Sequence, residues 1–476
     1  MLSPLIERPG RRRLHRERER GVTMAFVALS MLALISMAAL SIDIGALYEA
    51  KTEAQRSADL AALAAARMIS LEGATGDPTG PATISWADVC GGATSPASLA
   101  AIAIAQQNLI NGAAPSTINV YYGTRNGVTA GTSDCTGAGP EFTVNPVIQV
   151  NVQQATLPTY FARVFSLITS GAGGNSGVSA TGTAEVYNSS GSGALPAGMV
   201  PVQPRCVKPW LVPNADPGNG GLTFVNLSNG TITNAGTQIS APKGVIGESF
   251  ALHADCGGTA TPACAPPSMP KGTGGSGILQ YVPATTTGTV VAVASNSSCS
   301  LSNNFQSEIA GCDQTTVYAC GTPTAVTPNL TENPEYLTPA SGDTATGIQC
   351  LTNSLSGSDQ LAGGSATPDY PFQIMAGFGN PLVQAGVVNN DDIVTTSNSI
   401  VTLPIFDSSG PPTAPLPPVV TVVGYLQVFI DGVSGGPTGG YPTVTVLNVS
   451  GCTNAAGGNP TVAGSSPVPI RLITSP

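Results

Sequence analysis

Residues 22–42 read VTMAFVALSMLALISMAALSI, twenty-one residues without a charged side chain. As an α-helix rising 1.5 Å per residue, the run spans roughly 32 Å, about one bilayer core. It exceeds the apolar region of about 7–15 residues in a cleaved secretory signal, and the helical pattern continues past its end. A buried helix of a soluble protein seldom runs this far without a charge. The expectation is a retained transmembrane helix.

The flanking charges orient it. Residues 1–20 hold Arg8, Arg11, Arg12, Arg13, Arg16, Arg18 and Arg20 against Glu7, Glu17 and Glu19. Asp43 and Glu49 follow the span. The positive-inside bias puts the basic tip, residues 1–21, in the cytoplasm and everything after Asp43 outside. In a bacterium this is a single-pass protein of the inner membrane, with a periplasmic or extracellular body. Residues 71–476 carry seven basic and twenty acidic side chains. So acidic a body does not bind nucleic acid by counterion release. The bilayer is the partner these charges imply.

Charged residues make up 9% of the 476, against about 25% in an average soluble domain. That argues against a cytosolic enzyme. All ten cysteines (Cys90, Cys135, Cys206, Cys256, Cys264, Cys299, Cys312, Cys320, Cys350 and Cys452) lie beyond the span. An even number on the exported side fits a disulfide framework in an oxidising compartment. Proximity suggests the pairs Cys90–Cys135 and Cys256–Cys264. The rival is zinc held by His253, Cys256 and Cys264, but the chain has no CxxC pair. No metal or cofactor is expected.

Residues 43–70 contain no Pro and are dominated by strong helix formers, so the membrane helix is expected to continue to about residue 70. Ala50, Ala54, Ala58, Ala62 and Ala66 recur at every fourth position, a smooth stripe on one face. Alanine there is either a plain helix former or a packing face that lets another backbone approach closely, as in assembly.

The order of these features resembles the N-terminal segment of the TadE/TadG-like family of Tad (Flp) pilus assembly. Glu19-Arg20-Gly21 leads into the apolar run. Ser41-Ile-Asp-Ile-Gly45-Ala-Leu-Tyr48 follows, then Ala54-Gln-Arg-Ser-Ala-Asp59-Leu-Ala-Ala-Leu-Ala-Ala-Ala66. The resemblance covers about residues 17–70. Pro158–Arg163, Cys206–Trp210 and Pro467–Leu472 look like segments of larger relatives. Prepilins are cut after a Gly that precedes a Glu by five residues; here the fifth residue after Gly21 is Phe26. Some relatives carry an Asp-x-Ser-x-Ser metal site, whereas Asp407-Ser-Ser-Gly-Pro411 ends in Pro. The resemblance implies a non-enzymatic scaffold or minor pilin-like subunit with protein partners in a pilus or secretion assembly.

The rest reads as α+β. In residues 43–190, a membrane-proximal unit, a loop is expected over 71–94 and a helix over Pro96–Asn111. Strands are expected at Ile118–Tyr122, Glu141–Gln153 and Val178–Tyr187, with a short helix at 158–167. Residues 191–476 read as a β-rich exported domain with long loops and almost no helix. Its strands are expected at Val290–Ala294, Ile400–Ile405, Val419–Phe429, Thr443–Val449 and Ile470–Thr474. Catalytic patterns are poor. Gly432-Val-Ser434-Gly-Gly436 is followed by Pro437 and Pro442, which forbid the helix a nucleophile elbow needs. Gly272–Gly277 fits a phosphate-loop string by letters alone and reads as a flexible loop. His253 is the single exported histidine. Asp391-Asp392 reads as a solvated turn, Trp86 and Trp210 as core anchors, and Tyr121-Tyr122 as cross-strand packing. The alternative function is an anchored envelope protein for adhesion or glycan binding, and a third is an envelope hydrolase.

Overall fold

The computed structural model describes residues 13–72, 84–124, 132–138, 142, 146–157, 176–186, 202–228, 230–238, 244–253, 273–275, 277–285, 290–291, 299–316, 318, 320–321, 323–325, 327–328, 342–354, 357–364, 368–409, 419–433, 441–452, 462–464, 468 and 470–473. The short helix expected over 158–167 and the pair Cys256–Cys264 lie outside them. The fold is mixed α+β with many strands. The chain divides into two compact units. The first holds residues 1–57, 105–118 and 151–180; the second holds 58–104, 119–150 and 181–476.

Helix α1 runs unbroken over Arg13–Leu71, 59 residues, or about 88 Å. From Val22 it is long and apolar enough to cross a membrane. Helix α2, Ile84–Cys90, interrupts the stretch expected to be loop. Helix α3, Pro96–Gln107, starts where the sequence placed it but ends four residues early. There Asn111 and Gly112 take positive φ and close a turn in which Ile110 and Ala113 exchange main-chain hydrogen bonds.

A four-stranded sheet has the order β1 (Thr117–Gly123), β2 (Val147–Leu157), β3 (Ser176–Val186), then Ile470–Ile473. Strand β2 is described from Val147, directly after Pro146, which has no N–H to give a ladder. Pro146 offers its carbonyl to the Val186 amide instead. Arg471 lies directly opposite Glu185, and its guanidinium reaches the buried carboxylate at 3.2 Å. A strand near residue 470 thus completes the sheet that β3 belongs to.

A ten-stranded sheet forms the main core of the second unit. Its path is 327–328, 282–285, 210–213, 400–406, 419–433, 442–451, 249–253, 278–280 and 273–275, and Pro323–Ala325 pairs with Val419–Val433 off that path. The strand Pro442–Gly451 is buried nearly throughout, and Val419–Val433 is continuously buried from Gly424 to Ile430, as central strands covered on both faces should be. Trp210, Tyr281, Phe250 and Phe429 fill the same core. Gly272–Gly277 is not simply a flexible loop, since Thr273–Gly275 is an edge strand.

The expectation of almost no helix after residue 190 is corrected. Helices occupy Asn304–Ala310, Asp343–Thr352 and Pro381–Gln384. Asn303 caps the first, its side chain accepting the Gln306 N–H at 2.9 Å. In the second, Gly347 lies so close to Ile309 that an added Cβ would sit 2.7 Å from the isoleucine Cβ.

Candidate functional site: the long helix and its joint

Along α1, every large apolar side chain from Val22 to Ile44 is exposed, at 44–77%. A one-sided cover begins within that span, because Ala39 and Asp43 are buried. Beyond it the stripe identified in the sequence is fully covered: Ala50, Ala54, Ala58, Ala62 and Ala66 are 0–3% exposed. The covering atoms belong to this chain. A Cβ added to Gly182 of β3 would stand 2.4 Å from the main-chain carbonyl of Ala58. Strand and helix backbones meet there with no side chain between them. The small residues at Ala58 and Gly182 are what make that approach possible.

Within the first unit, Ser57 Oγ donates to the Ala105 carbonyl at 3.2 Å, and Asn111 N donates to Glu53 Oε2 at 2.6 Å. Lys51 Nζ donates to the Ser179 carbonyl. The opposite side of α1 is left open by the chain: Tyr48, Thr52 and Arg56 are exposed, and the space around Gly45 is empty to 4 Å.

Within the second unit, the C-terminal end of α1 is held at a joint that sequence reading missed. Ser70 Oγ donates to the Val468 carbonyl at 2.6 Å, and the Ser70 carbonyl accepts Asn448 Nδ2 at 3.0 Å. Glu72 is 1% exposed; its Oε2 accepts the Phe372 amide and its main-chain oxygen accepts the Tyr370 hydroxyl. Burial holds the Glu72 carboxyl well above the usual carboxylate range, and Tyr370 is likewise raised, by burial and then by Glu72. The sequence signal for this joint is thin: an unremarkable Ser-Leu-Glu at the end of an alanine-rich helix.

The cysteines form four described disulfides: Cys90–Cys135, Cys206–Cys312, Cys299–Cys350 and Cys320–Cys452. The first is the pair expected from proximity, and it lies beside Trp86, Phe142 and Tyr122, a cluster of edge-on rings. Trp86 and Trp210 are buried. Tyr122 is buried too, its hydroxyl 2.7 Å from Ser98 Oγ, so it lines no open groove.

The remaining polar candidates, among the described residues, stand apart from one another. His253 stacks flat on Tyr441. Asp391 and Asp392 sit in an exposed turn, where Asp392 accepts the Asn389 amide at 2.7 Å. Two carboxyls are displaced upward by burial, Glu248 to about 9 beside Asp216 and Asp431 to about 7 beside Thr445. Lys208 is pushed down to about 7 by burial, while its Nζ caps the carbonyls of Ile309 and Gly311 at 2.7 and 2.6 Å. Among the described residues, no group of three or more His, Cys, Asp or Glu could hold a metal ion.

No curated protein and no solved structure matches the chain. Residues 21–68, the apolar span together with the alanine-striped turns, match the family described as Tad, putative Flp pilus-assembly TadE/G-like.

Proposed function

We propose that the protein is a non-enzymatic, membrane-anchored component of a Tad-type pilus or secretion apparatus, serving as a scaffold or minor pilin-like subunit. The match at residues 21–68 carries this reading. In it the arginine-rich tip stays in the cytoplasm, α1 anchors, and the disulfide-stapled body stands on the outer side. The alanine stripe is used up inside the chain. The contact with assembly partners therefore falls on the open side of α1, around Tyr48, Thr52 and Arg56.

Photo-crosslinking from Tyr48 and Arg56 in intact membranes, followed by mass spectrometry, tests the reading. Capture of a pilus or secretion component is the expected result, and capture of none sinks the assembly role. A periplasm-active reporter fused after residue 72 should be active; cytoplasmic activity would overturn the orientation.

A further inference from the structure

The joint at the end of α1 contains a group that a purely structural tie would not require. Glu72 brings a carboxyl into the interior of the second unit, and its Oε1 is buried without a hydrogen-bond partner. The acceptors there are supplied with only one main-chain donor, the Phe372 amide. Among the described residues, burial and the Phe372 amide are what act on it, and no base is among them. The Tyr370 phenol faces it, and Asp88 of α2 stands near that phenol; both are acids. Arg67, five residues back on α1, directs its guanidinium to the Thr395 carbonyl instead.

We propose that this joint is a proton-operated clasp, docked while Glu72 is neutral and loosened when that carboxyl ionises. A buried carboxylate with one donor and no cation is poorly stabilised, whereas the neutral acid fits. The sign follows from linkage. A carboxyl whose docked pKa is raised holds its proton in the docked state after the free group has lost it. Docking is then complete below the ordinary carboxylate range and weakens as pH rises through the raised value. The bonds from Ser70 carry no titratable group and stay in place. Ionisation therefore frees the segment around Phe372 and Tyr370 before it frees the helix itself. The proposal is independent of which apparatus the protein serves.

Hydrogen exchange of the full-length protein in nanodiscs, from pH 6 to 10, reads the clasp through peptides spanning Phe372. Rates are divided by the intrinsic chemical rate at each pH. In the wild type, protection at Phe372 should fall at least tenfold towards the alkaline end, while the strand Pro442–Gly451 stays protected. Glu72→Gln, which cannot ionise, should give a flat profile. The same pH profile in wild type and Glu72→Gln would overturn the proposal, as would loss of protection at Phe372 and the central strand together. If Glu72→Gln does not fold, Tyr370→Phe replaces it. That variant keeps the carboxyl, so it should lower protection at every pH yet retain the wild-type slope; a flat profile would then refute the proposal.

Discussion

The two halves of α1 are one continuous helix built from two alphabets. Residues 22–44 use Leu, Ile, Met, Val and Phe, all exposed; residues 50–66 place alanine at every fourth position, all buried. What covers a helix decides its alphabet. Large apolar groups suit a surrounding hydrocarbon medium, where bulk adds favourable transfer energy. Small residues suit a neighbouring backbone, where any added methyl must displace protein atoms. Cover by the chain itself separates the halves: the first leaves its large side chains open, the second hides its alanines.

Reciprocal substitutions should break this contrast most strongly. Gly182→Val drives side-chain atoms into the Ala58 main chain and should destabilise the second unit by about 3 kcal/mol, read by chemical denaturation. Leu34→Asp should leave that transition unchanged but raise the cost of membrane insertion by about 3 kcal/mol, read as a fall in the integrated fraction. If Leu34→Asp shifted the denaturation curve, the two halves would not be separate environments. Next in size, replacing Cys90 and Cys135 together by Ser should cost roughly 2–4 kcal/mol in denaturation. The span contains no cysteine, so reduction should leave its insertion intact.

Acidity acts on the covered region as well, with an effect that depends on how far the pH is moved. Glu248, raised from 4.5 to about 9, keeps in the fold a proton that the unfolded chain has lost. Its stabilising contribution is complete below pH 4.5 and lost as pH rises towards 9. Lys208, lowered from 10.5 to about 7, acts in the opposite sense: its contribution is complete above pH 10.5 and lost as pH falls towards 7. Glu248→Gln should flatten the first slope and Lys208→Met the second, in denaturation midpoints measured across pH. The smallest effect belongs to Gly45, at the seam between the two halves. With empty space around it, Gly45→Ala should raise helix stability by about 0.5–1 kcal/mol. A folded Gly45→Ala protein that loses its crosslinks from Tyr48 would mark that side as a partner's contact.

What the sequence disclosed follows the range of the forces involved. The span, α3 and the long strands arise from local periodicity, and they stand close to where the pattern put them. Cys90–Cys135 is near enough in sequence to suggest itself. Cys206–Cys312 and Cys320–Cys452, 106 and 132 residues apart, are fixed only by the folded sheet. The helix Asp343–Thr352 contains three Thr and a Gly, poor helix formers that packing against Asn304–Ala310 overrides. The joint was illegible for the same reason: Ser70 and Glu72 find partners near residues 370, 448 and 468, and nothing local announces them. The alanine stripe read equally as a run of helix formers or as a packing face; that the chain's own β3 backbone meets it at Ala58 could not be read from it.

The pairing of Arg471 with Glu185 spans 286 residues, and this sets an order of events during biosynthesis. A chain emerging from its N-terminus offers β3 long before the strand that will cover its edge. Throughout that interval an unpaired row of main-chain donors and acceptors on β3 stands open to pairing with another chain. The protein's most vulnerable moment is thus a waiting time, set by the rate of translation. An attendant chaperone, or slower translation, would change its yield without changing the stability of the finished fold.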